Sequence, residues 1–101
     1  MATAFLVIRA RLINLGDRQR FDDWYRTEQL PSSIKAFKAD RGWRAWSKTN
    51  PLVHIVLYEF SSVEEAEAIL DSAALAHQTA EFDRVWGTGI VRTREIVEVA
   101  D

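Results

Sequence analysis

Cysteine is absent from the 101 residues, which excludes a disulfide framework, a thiol nucleophile and a thiolate metal site. Histidine is scarce: His54 and His77 stand alone, too far apart in sequence for an H-x-x-x-H pair, and the carboxylates form no calcium-loop pattern. Glycine is too sparse for a phosphate-cradling loop, since "GTG" at 87–89 precedes a strand pattern and not a helix, and no G-x-S-x-G elbow occurs. No metal or cofactor is therefore expected. Charge of either sign is not in excess; a net charge of −2 leaves no electrostatic footprint for nucleic acid or an anionic membrane. No apolar run approaches the roughly 18 residues that span a bilayer. "MATAFLVIRARL" lacks a basic leader and its apolar run ends at Arg9, so the expected compartment is the cytoplasm.

What is present is an ordinary globular composition, 48% hydrophobic and 28% charged, in a length that suits one domain over residues 1–101. Residues 4–12 alternate as a strand, with Leu6, Ile8, Ala10 and Leu12 on one face and Phe5, Val7, Arg9 and Arg11 on the other. A helix follows over 17–38, with Asp17 as its cap and a kink or restart expected at Pro31, whose ring opposes the Thr27 carbonyl. "GWRAWSK" and "LVHIVLYEF", joined by the turn residues "KTNP", read as a hairpin of strands 42–48 and 52–60. Ser62 and Glu65 form a capping box for a second helix carrying Val63, Ala66, Ile69, Leu70 and Ala73. "ALAHQTAEFDRVW" adds a further short helix, and "IVRTREIVEV" closes the chain as a strand. The order β-α-β-β-α-β predicts an α+β, ferredoxin-like fold, a four-stranded antiparallel sheet with the main helices on one face.

The third strand bears on the other face. Only His54 and Glu59 are polar within 52–60, whereas a strand with one wet face should alternate. A second copy of the chain, sheet against sheet, is the expected cover.

Candidate site residues follow from alternation. Arg9 and Arg11 share a face of the first strand, Arg92 and Arg94 a face of the last, and these strands are expected to be neighbours. Four cations on one face would require anions, either a ligand carboxylate, enolate or phenolate, or rim partners at Glu95, Glu98 and Asp101; rim pairing is the preferred reading. His54 and Tyr58 share a face of the third strand, as a core pair or as a proton-handling pair. Ser32 and Ser33 read as a cap for the helical restart. Trp24, Trp43, Trp46 and Trp86 are many for this length and suit either a core or an aromatic-lined cavity.

With its element order and the stretch Phe21, Trp24, Tyr25, Glu28, Gln29, Leu30 and Pro31, the chain resembles the dimeric α+β barrel superfamily, many members of which carry F-x-x-W-Y-x-x-E-H-L-P. The departure is Gln29, where those relatives have histidine; an amide can orient a ligand but cannot exchange a proton near neutral pH. "SAALAH" places His77 at a second, weaker match, a position that faces the pocket in some cofactor-independent relatives. On one continuous helix, however, His77 would lie away from Leu75, Phe82 and Trp86. The haem-degrading relatives are disfavoured, because Glu67 and Arg9 stand where those use tryptophan and asparagine. The resemblance implies a homodimer binding a small hydrophobic or aromatic compound. In the leading reading it is a cofactor-independent enzyme of monooxygenase, cyclase or isomerase type. His77 or His54 would exchange the proton, Gln29, Arg9 and Tyr58 would orient an oxygen, and Trp24 and Trp86 would line the pocket. The alternative is a non-catalytic ligand-binding or structural dimer.

Overall fold

The computed structural model describes residues 3–100. Four strands, β1 (Ala4–Arg11), β2 (Arg41–Trp46), β3 (Val53–Phe60) and β4 (Val91–Glu98), form one antiparallel sheet in the order β2-β3-β1-β4. Four helices, α1 (Arg18–Trp24), α2 (Leu30–Phe37), α3 (Val63–Leu70) and α4 (Ala73–Trp86), complete the ferredoxin-like α+β arrangement expected from the sequence. No helix among the described residues is long and apolar enough to cross a membrane.

The first helical segment is not a single α-helix kinked at Pro31. Tyr25–Gln29 winds as a wider π turn, in which the Leu30 amide donates to the Tyr25 carbonyl, five residues back. Proline has no amide to donate and its ring crowds the carbonyl four residues earlier, so the chain widens just before it and Pro31 enters the first turn of α2. The consequence reaches the core. Phe21, Tyr25, Gln29, Ser33 and Phe37 are all buried and spaced by four. A straight α-helix advances about 100° per residue, so such a stripe drifts by roughly 40° per step; the wider turn takes up part of that drift and keeps all five against the sheet.

Other local expectations are adjusted in detail. Asp17 makes no capping hydrogen bond; the turn Leu15–Asp17 precedes α1, and the Asn14 side chain caps it through the Gly16 amide at 2.8 Å. Ser62 accepts from the Glu65 amide at 3.2 Å, while the Glu65 carboxylate reaches back to the Ser61 amide. Ala73 belongs to α4, which Ser72 caps through the Leu75 amide and which, at 14 residues, is the longest helix described.

The register separates the four arginines. β1 pairs with β4 so that Ile8 faces Arg94 and Ala10 faces Arg92, whereas Arg9 faces Thr93 and Arg11 faces Val91. Arg92 and Arg94 thus project toward the helices, and Arg9 and Arg11 toward the opposite face. The expectation of four cations on one face is corrected by this one-residue offset. Rim pairing holds for Arg9, which pairs with Glu95; Arg92 instead pairs with Asp83 of α4, and Asp101 lies outside the described residues.

The face away from the helices is apolar at its centre, with Val7, Leu57 and Ile55 flanked by Phe5 and Trp43, and Trp43 is 41% exposed. The ion pairs Arg9–Glu95 and Arg41–Glu59 stand on it beside those residues.

At Gly42, β2 lies close under α2: a Cβ there would stand 2.8 Å from Ile34 Cγ1 and 3.1 Å from Leu30 Cδ1. Gly42→Val should lower unfolding stability by about 1–3 kcal/mol in a urea titration, through overpacking at this crossing. An unchanged midpoint would show that α2 does not lie against β2 as described.

Candidate functional site

A small cavity lies between the helix face of the sheet and the stripes of α2 and α4. Its apolar wall comes from Ile8, Phe37, Leu75 and Phe82, its polar wall from Gln29, Ser33, Gln78 and Thr79, and Tyr25, Tyr58, Arg92 and Arg94 complete it. The volume open to the centre of a water molecule is about 20 Å³, enough for one water and too small for an aromatic compound without movement of the walls.

The polar wall is tied together by Gln78. Its side-chain amide donates to Ser33 Oγ at 2.8 Å, and its backbone carbonyl accepts from Gln29 Nε2 at 2.9 Å. α4 supplies Gln78 because Leu75, Gln78 and Phe82 form its buried stripe at helical spacing. The π turn and α2 supply Gln29 and Ser33 on the four-residue stripe. Arg92 stacks over the Phe82 ring at 4.0 Å and pairs with Asp83 at 2.7 Å. Arg94 donates to Thr79 Oγ1 at 3.0 Å.

Both phenols stay protonated in the physiological range. Burial pushes the Tyr25 hydroxyl well above its ordinary value, reinforced by Tyr58, with Arg92 opposing. Burial also raises Tyr58, with Ser33 opposing. They can donate hydrogen bonds to a ligand but cannot serve as bases at neutral pH. Among the described residues, the cavity lining contains no Asp, Glu or His.

Of the candidate site residues singled out from the sequence, Gln29, Tyr58, Arg92 and Arg94 meet at this cavity. His54 does not line it. It is 1% exposed in a box of Phe21, Tyr25 and Trp46, with ring centroids 4.9, 4.6 and 4.8 Å away. Its Nε2 is buried without a hydrogen-bond partner. Tyr58 is four residues along the same strand, roughly 13 Å away at the usual rise, so the two make no direct proton-handling pair. Asp22 stands beyond Trp46, accepting from the indole Nε1 at 2.9 Å. Burial raises its pKa, but the Trp46 hydrogen bond and the Arg44 charge outweigh this and hold it below the ordinary value.

His77 is exposed on α4, in an outer groove of about 450 Å³ shared with Trp24, Glu28, Ser32 and Gln29. Gln29 is the residue that borders both groove and cavity. Trp86 packs on Phe21 at 5.0 Å beneath the Arg20 guanidinium, and Arg9 lies on the other side of the sheet. Among the described residues, no three His, Asp or Glu side chains converge on a metal-sized site. Sequence reasoning passed over Gln78, Thr79 and the pocket role of Ser33; the available signal was a polar residue on each apolar stripe, at 29, 33 and 78.

No protein-family model matches the chain, and no curated protein matches it. Solved structures do match over nearly the whole length. One is an ethyl tert-butyl ether D (EthD) family protein from Bacillus halodurans, at 12% identity and TM-score 0.68, covering 99% of this chain and 100% of that one. Another is a point mutant of SnoaB, a cofactor-independent oxygenase from Streptomyces nogalater, at 7% identity and TM-score 0.65, with 98% and 94% covered. A third, a dimeric ferredoxin-like protein from an uncultured marine organism, has 17% identity and TM-score 0.55, with 100% and 98% covered. At these identities the shared property is the fold.

Burial disfavours the charged imidazole and lowers the His54 pKa to about 4, against the opposing charge of Asp22. The unfolded chain therefore binds a proton near pH 6.5 that the folded chain refuses, so this contribution is intact above that value and is lost as pH falls toward 4. At pH 5 the loss should be about 2 kcal/mol, from roughly 1.4 kcal/mol per pH unit. Urea unfolding between pH 7.5 and 4.5 should show this slope in the parent and lack it in His54→Phe; parallel profiles would place a charged histidine in the fold.

Proposed function

We propose that the chain, as one domain over residues 1–101, forms a homodimer through its open sheet faces, and that each protomer binds a small, largely apolar or aromatic compound bearing oxygen between sheet and helices. The observation that carries the binding reading is the cavity lining. Apolar Ile8, Leu75 and Phe82 line the cavity together with the polar side chains of Gln29, Ser33, Gln78 and Tyr58, the combination of an apolar wall with a few fixed polar groups that suits a flat apolar body bearing oxygen. Support for the dimer comes from the apolar centre of the uncovered face and its charged flanks, and from the likeness to a protein described as dimeric. Val7 is already buried within the protomer, so the gain on covering this face would come from the partly exposed Ile55, Leu57 and Trp43, at roughly 25 cal/mol per Å² of apolar surface.

The lining favours orientation over proton transfer, because among the described residues no Asp, Glu or His borders it and both phenols are held protonated. A cofactor-independent enzyme of monooxygenase, cyclase or isomerase type is the second reading, favoured by the fold shared with an oxygenase described as cofactor-independent. In that reading His77 would act across the Gln29 boundary on a ligand spanning groove and cavity, since Gln29 borders both.

Light scattering at tens of micromolar should report twice the 11.6 kDa chain mass for the parent and the single-chain mass for Leu57→Lys. A single-chain mass for the parent would remove the dimer. In calorimetric titrations with naphthol-sized probes, Gln78→Leu should weaken binding by about tenfold, in line with losing a buried hydrogen-bonded pair of roughly 1.4 kcal/mol. Undiminished binding would move the ligand out of the cavity. His77→Ala should leave probe affinity intact; a turnover of any bound compound that vanishes in this variant would select the enzyme reading.

A further inference from the structure

The cavity does not end at its own walls. Leu75, Thr79 and Arg94 line both the cavity and an outer groove of about 440 Å³ that runs along α4 past Ser72, Ala76 and Asp83. The partition between the two spaces is thus one apolar side chain and one hydrogen bond, from Arg94 Nη2 to Thr79 Oγ1 at 3.0 Å. Such a bond between an exposed guanidinium and a hydroxyl is readily exchanged for water or a better acceptor. The inner space of about 20 Å³ must open to admit an aromatic body, and Leu75, Thr79 and Arg94 are the wall it shares with this groove.

Charge at the partition is unbalanced. Arg92 and Arg94 both border the cavity. Arg92 is compensated by Asp83 at 2.7 Å, while Arg94 has no carboxylate within ion-pair distance among the described residues. Asp71 also borders the outer groove, at the α3–α4 junction, and is the acid that would oppose an anion there. A planar guanidinium with free donors accepts a carboxylate in two-point fashion, which a hydroxyl partner such as Thr79 cannot match.

We propose that the outer groove and the cavity form one bipartite site for an aromatic carboxylate, with Arg94 as both gate and specificity residue. Its guanidinium leaves Thr79, the aromatic body passes Leu75 into the cavity, and the carboxylate stays at the partition paired with Arg94. This rests on the cavity-binding reading above and narrows it to a charge class and an access side.

The test compares 2-naphthoate with 2-naphthamide, nearly identical in shape and different in charge, by calorimetric titration of the full chain and of Arg94→Met. The parent should bind the carboxylate at least tenfold more tightly than the amide, and Arg94→Met should bring the two within about twofold of each other. Thr79→Val, which frees the guanidinium without altering shape, should raise the carboxylate association rate in stopped-flow tryptophan fluorescence. Equal affinities in the parent, or a preference that survives in Arg94→Met, would overturn the Arg94 assignment while leaving cavity binding in place. Failure of both probes to bind at millimolar concentration would overturn cavity binding and the bipartite site together.

Discussion

Gln78 joins the two helical layers with one side chain and one carbonyl. Its amide reaches Ser33 on α2, and its carbonyl receives the Gln29 amide from the π turn. All three residues are at most 7% exposed. Leaving any one of these groups unpaired in that environment would cost about 1–3 kcal/mol, so the three positions constrain one another. The bridge spans the open end of a stack whose floor is the sheet, and the cavity is the space beneath it. An all-apolar contact between the helices would close that space by packing; hydrogen bonds with fixed lengths and directions hold it slightly apart.

The same bridge depends on a backbone irregularity. Phe21, Tyr25, Gln29, Ser33 and Phe37 cannot all face one plane from an ideal α-helix, and the π turn that lets them do so ends where Pro31 begins the next helix. Pro31 therefore acts at a distance of two residues on Gln29, by forcing the widened turn that aims it. On the other side of the cavity the β1–β4 register performs the matching selection. Because Ile8 and not Arg9 stands opposite Arg94, the cations of β4 join the helix side and those of β1 the open side. Each face then has its own chemistry: aromatic packing and a donor-rich cavity on one, an apolar patch with flanking ion pairs on the other.

Much of this was legible in the chain itself. Strand alternation in 4–12, the aromatic and β-branched hairpin with its turn residues, and the Ser62 cap are local patterns, and the ferredoxin-like order follows from them. The unalternated third strand does carry apolar residues on both faces: Val56 and Tyr58 pack under the helices, while Ile55 and Leu57 stand on the face left uncovered. The register of β1 against β4 was not legible, because both strands alternate acceptably in either offset and only the pairing decides which side Arg92 takes. The environment of His54 was hidden for a related reason, since it is fixed by three aromatic rings from three elements, α1, the π turn and β2. The outward position of His77 was legible from helix periodicity on α4. The four-residue stripe from Phe21 to Phe37 was visible, but its meaning required knowing that a proline can be accommodated by widening the helix before it.

In the proposed function the two faces of one sheet divide the labour, self-association on the uncovered face and ligand binding in the space under the Gln78 bridge. The most direct discriminator is the set of nuclear Overhauser contacts from the ring protons of a bound naphthyl probe. Contacts to the methyl groups of Ile8 and Leu75 and to the Phe82 ring are expected. Contacts confined to Val7, Leu57 and Trp43 would place the ligand on the open sheet face and contradict the assignment.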